Sequence, residues 1–180
     1  MNTITLTTPL TEQKAQSLSA GVHVLLSGIL YTARDAAHKR LCSLINEGKE
    51  LPITLQDQVL YYVGPTPARP GKPIGSAGPT TSCRMDAYSP LLMEKAGVRG
   101  MIGKGDRSRQ VIDAMKKFGC VYFAAIGGAG ALLAKCITKA DIVCYDDLGP
   151  EAIYKLEVVQ FPVIVAIDTH GNSCFAKRYC

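Results

Sequence analysis

The chain has 180 residues, of which 47% are hydrophobic and 19% are charged, and its formal net charge is +5. This length and apolar content predict a single domain, residues 1–180, with a sizeable core. A positive net charge suits an anionic ligand, but the lack of a Lys/Arg run argues against nucleic acid. The sequence contains no apolar stretch of about 18 residues, so we predict no membrane span. Its N-terminus also lacks the features of a signal peptide. We therefore expect a cytoplasmic protein.

The number and spacing of the cysteines also favour the cytoplasm. The seven cysteines are odd in number, include no CxxC pair and lie partly in apolar runs, which predicts reduced thiols rather than disulfides. Their spacing does not match zinc or iron–sulfur ligands, so we predict no metal site within this chain. The cysteines are at positions 42, 83, 120, 136, 144, 174 and 180.

Apolar patterns in the first part of the chain predict three strands and one helix. A proline- and glycine-rich segment follows, and we expect residues 64–77 to be linker-like, without regular structure. The predicted strands are 4–7, 22–31 and 56–63, and the predicted helix is 33–46 with Thr32 as its N-cap.

Arg34 would then lie in the first turn of the predicted helix. A cation at this end opposes the helix dipole, so stability alone does not explain it. An anion shared between Arg34 and the backbone N–H groups is one explanation. A solvated surface charge or an aspartate partner is the alternative.

Residues 78–86, with the sequence GPTTSCRMD, form the most informative stretch. Two adjacent hydroxyls, Thr80 and Thr81, and the guanidinium of Arg84 follow a Gly-Pro turn, where the chain is predicted to enter a helix. Such a loop can bind a carboxylate or a phosphate. An ordinary Ser/Thr N-cap is the simpler alternative.

From Val98 onward, strands, glycine turns and helices alternate, which predicts a parallel sheet. Ligands of such sheets lie beyond the carboxyl ends of the strands, where Lys104 and residues 127–128 are expected. The glycines at 127–130 do not form GxGxxG, so close helix packing explains them better than a dinucleotide does. The predicted helices are 87–96, 108–118 and 131–137, and the predicted strands are 99–103, 120–126, 141–145, 153–161, 163–168 and 173–177.

Three cations and two hydroxyls thus fall on turns and helix starts, namely Arg34, Thr80, Thr81, Arg84 and Lys104. Together they offer a guanidinium for each carboxylate of a small dianion, a lysine, and hydroxyls near the carbon between them.

Six blocks of the sequence carry a family resemblance. They are ARDAAHKR at 33–40, GPTTSCRMD at 78–86, VRGMIGKG at 98–105, GGAGA at 127–131, DLGPEAIYKLEV at 147–158 and FPVIVAIDTHGN at 161–172. In this order they resemble the beta subunit of the iron–sulfur hydro-lyases, that is, the class I fumarases and L-tartrate dehydratases. The resemblance runs from about residue 4 to the end of the chain.

The resemblance implies an α/β fold of the swivelling β/β/α type, with a mixed sheet and a parallel α/β portion. It also implies a partner: a larger alpha subunit whose three cysteines hold a [4Fe-4S] cluster. The active site would form between the two subunits, in an assembly of two alpha and two beta chains.

The resemblance also assigns roles to individual residues. Thr80 matches the candidate catalytic base and Thr81 contacts substrate beside it, while Arg34, Arg84 and Lys104 match the substrate-binding cations. A neutral threonine is a weak base, so its role requires an alkoxide stabilised by nearby cations. His38 has no assigned role, and we interpret it as a helix-packing residue.

The expected function is that of the beta subunit of a two-subunit fumarate hydratase, which interconverts fumarate and L-malate. Ser82 and Cys83 replace the Ala-Gly pair often found in single-chain fumarases, and serine also occurs there in the tartrate enzymes. The GGAGA and DLGPEA blocks look more like two-subunit fumarases. The alternatives are a beta subunit of L(+)-tartrate dehydratase and a non-catalytic dicarboxylate-binding module of the same fold.

Overall fold

One mixed sheet of seven strands organises the computed structural model, which describes residues 3–125 and 128–175. Several predicted features lie outside the described residues, namely the end of the strand at Ile126, Gly127 of the glycine turn, the end of the return strand and Cys180. The strands are β1 Thr3–Thr7, β2 His23–Thr32, β3 Val59–Tyr61, β4 Gly100–Gly103, β5 Val121–Ala124, β6 Ile137–Cys144 and β7 Ile153–Ile167. The helices are α1 Glu12–Gln16, α2 Asp35–Asn46, α3 Ser89–Ala96, α4 Arg109–Phe118 and α5 Gly130–Lys135, with 3-10 helices at Ser82–Met85 and Asp146–Glu151.

The strand order is β1-β2-β3-β4-β5-β7-β6. Strands β1 to β5 pair in parallel, whereas β7 runs antiparallel to β2, β5 and β6. Because β2 also pairs with β7, the strands β2, β3, β4, β5 and β7 close into a barrel-like ring. The prediction of a mixed sheet with a parallel α/β portion is confirmed.

The core divides into two clusters on opposite faces of the strands. Side chains alternate between the faces, so Tyr61 belongs to one cluster whereas Leu60 and Tyr62 belong to the other. The first cluster takes residues from all five ring strands and from α1 and α5. The second takes residues from α2, α3 and α4. The helices α2, α3 and α4, which follow β2, β3 and β4 in the chain, are therefore anchored on one face.

Thr32 is not the N-cap of α2, contrary to the prediction. It ends β2, and its buried hydroxyl donates to the carbonyl of Ala152 at 3.2 Å and accepts the N–H of Tyr154 at 2.9 Å. Helix α2 starts at Asp35 and Arg34 occupies the N-cap position, where its side chain makes no capping bond. Thr32 is held by strand β7, which no local pattern predicts.

Some strand limits also differ from the predictions. The predicted strand 56–63 shortens to β3, since Asp57 takes a positive φ of 59° just before it. The predicted strands 153–161 and 163–168 are the single strand β7, which continues past Gln160 with a φ of 51°. Strand β6 starts at Ile137 rather than at residue 141, and Ser173 forms an isolated antiparallel bridge with Ile167.

The predicted helices 87–96 and 108–118 match α3 and α4 closely. Ser108 caps α4 by accepting the N–H of Val111, and Gly97 and Gly119 end α3 and α4 in the left-handed conformation. Residues 64–77 contain no helix or strand. No helix in the described part of the chain has the length and apolar character needed to cross a membrane.

Candidate active site

The stretch 78–86 is attached to the carboxyl ends of β3 and β4. The N–H of Thr80 donates to the carbonyl of Tyr62 at 2.7 Å, just after β3. Lys104, just after β4, donates its N–H to the Thr80 carbonyl at 3.2 Å and accepts the Ser82 N–H at 2.9 Å. Thr81 and Lys104 thereby form a parallel bridge. The threonine pair and the lysine lie side by side at the expected edge of the sheet.

The two threonine side chains differ in exposure. Thr80 is half-buried, and Thr81 is exposed. Thr81 occupies the N-cap position of the 3-10 helix Ser82–Met85, but its hydroxyl makes no capping hydrogen bond. The simple N-cap interpretation therefore does not account for Thr81.

Ser82 points away from the surface. It is fully buried, and its hydroxyl lies 2.9 Å from the Tyr122 hydroxyl, which donates to the Gly105 carbonyl at 2.8 Å. A Cβ at Gly103 would overlap the Ser82 hydroxyl, so glycine allows this close approach. Burial raises the pKa of Tyr122, which keeps the phenol protonated as a donor. Any influence of Ser82 on substrate choice is therefore indirect.

Arg107 is a buried cation beneath this stretch that the sequence predictions missed. Its Nε donates to Asp86 Oδ1 at 2.7 Å and its Nη2 donates to Ser89 at 2.8 Å. The guanidinium also lies over the rings of Tyr62 and Tyr122, 5.4 and 5.1 Å from their centroids. Burial by itself lowers the pKa of Arg107, but Tyr62 and Asp86 outweigh it and the pKa is raised. No local motif signals a partner 21 residues away.

Asp35, the first residue of α2, connects Arg34 and Arg84. Its Oδ1 accepts from Arg84 Nε at 3.0 Å, and its Oδ2 lies 2.9 Å from Arg84 Nη2 and 3.8 Å from Arg34 Nη2. Glu151 approaches the same Arg34 nitrogen at 3.4 Å and accepts the N–H of Ala36 at 2.8 Å. In this structure, Glu151 is the anion that Arg34 shares with the start of the helix, and Asp35 is its aspartate partner.

Gly64 provides the space for the Arg34 side chain. A Cβ at position 64 would lie 2.6 Å from Arg34 Nη1 and 3.2 Å from both Arg34 Cδ and the Pro150 carbonyl. The Arg34 Nε is buried and has no hydrogen-bond partner among the described residues. The sequence predictions included Arg34, with an aspartate partner as one alternative, but not Gly64 or Glu151, because their contacts with Arg34 join distant segments.

His38 lies one turn into α2, fully buried. Its Nδ1 donates to the Arg34 carbonyl at 2.8 Å, and its ring packs edge-on against Tyr62 at 5.2 Å. Burial lowers the pKa of His38 from 6.5 to about 4, so the imidazole is neutral at pH 7. This environment supports the helix-packing interpretation and adds a contact that holds the backbone of Arg34.

The cysteines that the structure describes, which exclude Cys180, are not arranged as ligands of an iron–sulfur cluster. Within residues 3–125 and 128–175, no three His, Cys, Asp or Glu side chains are grouped as metal ligands. Burial raises the pKa of Cys42 to about 11 and that of Cys120 to about 12, which opposes the thiolate form that a metal requires. Cys83 is exposed on the 3-10 helix beside Arg84.

The predicted site residues lie on an open face. Three cavities of about 450, 660 and 520 Å³ are lined by other parts of the chain. Thr81, Arg84 and Lys104 are exposed, and the Arg84 side chain retains 47% of its accessible surface. A small ligand bound to these groups would be covered on one side only.

Comparisons with known proteins agree in identifying one family. The family model described as "Fumarase C-terminus" matches residues 1–178. "Fumarate hydratase class I, anaerobic" from Escherichia coli (strain K12) is 45% identical over 153 residues, which are 84% of this chain and 28% of that protein. "Fumarate hydratase 2" from Leishmania major is 39% identical over 166 residues, 92% of this chain and 29% of that protein.

A shorter relative is covered over most of its length. "Putative L(+)-tartrate dehydratase subunit beta" from Methanocaldococcus jannaschii is 37% identical over 173 residues, which are 93% of this chain and 89% of that protein. The chain therefore spans less than a third of the two fumarate hydratases but nearly all of this subunit.

Proposed function

Because the chain belongs to the fumarase C-terminus family, we propose that it is the beta subunit of a two-subunit iron–sulfur fumarate hydratase. This enzyme would interconvert fumarate and L-malate as a hydro-lyase. The identity to fumarate hydratases supports the reaction, and the match to a relative named a subunit beta supports a separate alpha partner.

The observation that carries the proposal is the joining of two pairs of groups at one edge of the sheet. Thr81 bridges to Lys104, and Arg84 is joined to Arg34 through Asp35. Two guanidiniums and one ammonium suit a small dicarboxylate, because each carboxylate can accept charge-assisted hydrogen bonds. These cations also stabilise the negative charge that builds up as a proton leaves the carbon next to a carboxylate.

Thr80 is the candidate base in this proposal. It is half-buried beside the exposed Thr81, and its backbone is fixed at both its N–H and its carbonyl. A hydroxyl takes up a proton only when it is ionised, and neighbouring cations such as Arg84 and Lys104 favour that alkoxide form. Thr81 would contact the substrate next to it.

The [4Fe-4S] cluster is assigned to the larger alpha subunit, in keeping with the absence of a grouped set of metal ligands among residues 3–125 and 128–175. The open site face would close against that subunit around the substrate. We further propose that the chain is one domain of the swivelling β/β/α type, that the assembly is a hetero-oligomer, and that it acts in the cytoplasm without nucleic acid or membrane.

The test is reconstitution under anaerobic conditions with the cluster-bearing partner. We expect the complex to hydrate fumarate, and we expect Thr80→Ala and Arg84→Ala to lower kcat/KM by about 10²- to 10⁴-fold. Thr80→Ser is the matched control for the threonine, since it keeps the hydroxyl and should retain more activity. Full turnover by this chain alone, or an Arg84→Ala complex with wild-type activity, would contradict the proposal.

L(+)-tartrate is the second candidate substrate. The specific observation in its favour is the 89% coverage of a relative named for that reaction. Parallel assays of the same complex with L-malate and L(+)-tartrate separate the two, since the true substrate should have the higher kcat/KM. Dicarboxylate binding by calorimetry without turnover of either compound would instead indicate a non-catalytic module.

A further inference from the structure

The carboxylate of Asp35 occupies one edge of the Arg84 guanidinium. Its Oδ1 accepts from Nε at 3.0 Å, and its Oδ2 lies 2.9 Å from Nη2 as an ion-pair contact without a hydrogen bond, so both oxygens face this edge. A guanidinium has five N–H donors in a planar fork, so the edge formed by Nη1 and the outer N–H of Nη2 stays available. No second carboxylate in the described part of the chain pairs with Arg84. Arg84 can therefore hold Asp35 and a substrate carboxylate at once.

The same carboxylate also faces Arg34. Its Oδ2 lies 3.8 Å from Arg34 Nη2, and Glu151 lies 3.4 Å from that nitrogen. The two guanidiniums come from segments 50 residues apart, and Asp35 is the group that touches both. A fixed separation between two arginines is what recognition of two carboxylates on one short molecule requires.

A stabilising acid at a helix start is the simpler explanation of Asp35, since negative charge in the first turn is favourable. The hydrogen bonds argue against it as the full explanation. The N–H of Ala36, in the first turn of α2, donates to Glu151, whereas both Asp35 oxygens face arginines.

We propose that Asp35 is a positioning residue of the dicarboxylate site. It holds the guanidiniums of Arg84 and Arg34 at one separation, so that each meets one carboxylate of the same substrate. The inference rests on the proposed function and deepens it, because it names the group that sets selectivity for two carboxylates over one.

Removing the Asp35 charge has two effects on substrate affinity, and the two effects have opposite signs. Asp35→Asn releases Arg84 to sample other rotamers, which weakens substrate binding. It also removes a negative charge next to the substrate carboxylate, which by itself strengthens binding of a dianion. The positioning role predicts that the first effect prevails, so the direction of the change decides the question.

The experiment compares wild-type, Asp35→Asn and Asp35→Glu chains in the reconstituted complex. We expect Asp35→Asn to raise KM about tenfold, with a smaller change in kcat, and Asp35→Glu to recover part of the loss. Inhibition constants of succinate and butyrate provide a second readout. The wild type should prefer the dicarboxylate, and Asp35→Asn should reduce that preference.

Asp147→Asn is the matched control. It breaks another aspartate–arginine pair, between Asp147 of the 3-10 helix Asp146–Glu151 and Arg40 of α2, in which Arg40 Nη1 donates to Asp147 Oδ1 at 2.8 Å, and this pair does not include Arg34 or Arg84. We expect its KM and its succinate preference to equal those of the wild type, and thermal unfolding of every variant shows whether folding is intact.

Three results would overturn the inference: an unchanged or lower KM in Asp35→Asn, an unchanged succinate preference, or an equal effect of Asp147→Asn. They differ from failure of the proposed function, in which the wild-type complex turns over neither fumarate nor tartrate. In that case malate affinity, measured by calorimetry on the same complexes, replaces KM in the comparison.

Discussion

Gly64→Ala probes the placement of Arg34 without removing any functional group. The backbone of Gly64 lies outside the left-handed region, so alanine is conformationally allowed there. Its Cβ would lie 2.6 Å from Arg34 Nη1, and relief to an ordinary contact requires the guanidinium to move by about 0.8 Å. The arginine is flexible at this end, so we expect the side chain to move rather than the fold to break.

The expected magnitude follows from the contacts that would change. Arg34 Nη2 is 3.4 Å from Glu151 and 3.8 Å from Asp35, so a shift of the guanidinium changes both ion-pair distances. A misplacement of about 1 Å at a substrate-positioning group can lower a rate by about 10²-fold. We therefore expect kcat/KM for fumarate to fall by about 10- to 100-fold. The free energy of unfolding should change by no more than about 1 kcal/mol, as for compatible Gly→Ala changes.

The assay is a double-mutant cycle in the reconstituted complex. Gly64→Ala should lower kcat/KM in the wild type but have little further effect in the Arg34→Ala background, because the group it displaces is absent. Urea unfolding of each variant reports the stability. Equal losses in both backgrounds, or an unchanged kcat/KM in the single variant, would refute the argument that Gly64 acts through Arg34.

Two further predictions concern buried groups. The pKa of His38 is about 4 in the folded state and 6.5 in the unfolded state, so only the unfolded chain binds this proton between those values and stability falls as pH decreases. Between pH 7 and 5 the free energy of unfolding should therefore drop by about 2 kcal/mol more in the wild type than in His38→Asn. If the stability of the two proteins depends on pH in the same way, protonation of His38 is not the cause. Tyr122→Phe removes the buried donor to Gly105 and the partner of Ser82, so urea unfolding should show a loss of about 1–3 kcal/mol. An unchanged midpoint would mean that these bonds contribute no net stability.

Local signals in the sequence predicted local structure well. The predicted helix 108–118 matches α4 closely, because Ser108 and Gly119 cap it and capping depends on a few neighbouring residues. The buried strand β5 likewise follows from a continuous apolar run. Thr32 was misinterpreted since its hydroxyl bonds to residues 120 and 122 positions away, which no local pattern reveals.

Long-range pairing is the part of the fold that the sequence did not predict. The ring closes because β2 pairs with β7 across more than 120 residues, and β7 continues through Pro162, which suggested a break. The return of β7 brings Pro150 and Glu151 next to α2. The environment of Arg34 therefore depends on the closure of the sheet.

The candidate site likewise divides into residues that the sequence predicted and residues that it did not. Thr80, Thr81, Arg84 and Lys104 could be selected by residue type and by position after turns and strands. An aspartate partner of Arg34 was one alternative, but the pairing of Asp35 with Arg84 and of Glu151 with Arg34 could not be predicted, because these pairs are far apart in the sequence. Arg107 was not predicted as part of the site for a similar reason, because it meets its partners only when α3 and α4 pack together.

The net charge of the site residues indicates that the proposed enzyme needs a partner surface over this open face. Three cations, Arg34, Arg84 and Lys104, are accompanied by two carboxylates, Asp35 and Glu151, so these five side chains carry one net positive charge. A dicarboxylate brings two negative charges, and proton removal next to a carboxylate moves more charge onto its oxygens. On an open face, water screens much of the attraction that the single net charge provides. Covering this face would exclude water and add donors, which strengthens each contact and completes the charge balance. In the proposed enzyme, the pairing of these cations with carboxylates is thus better suited to orienting two guanidiniums beneath the alpha subunit than to capturing a dianion alone.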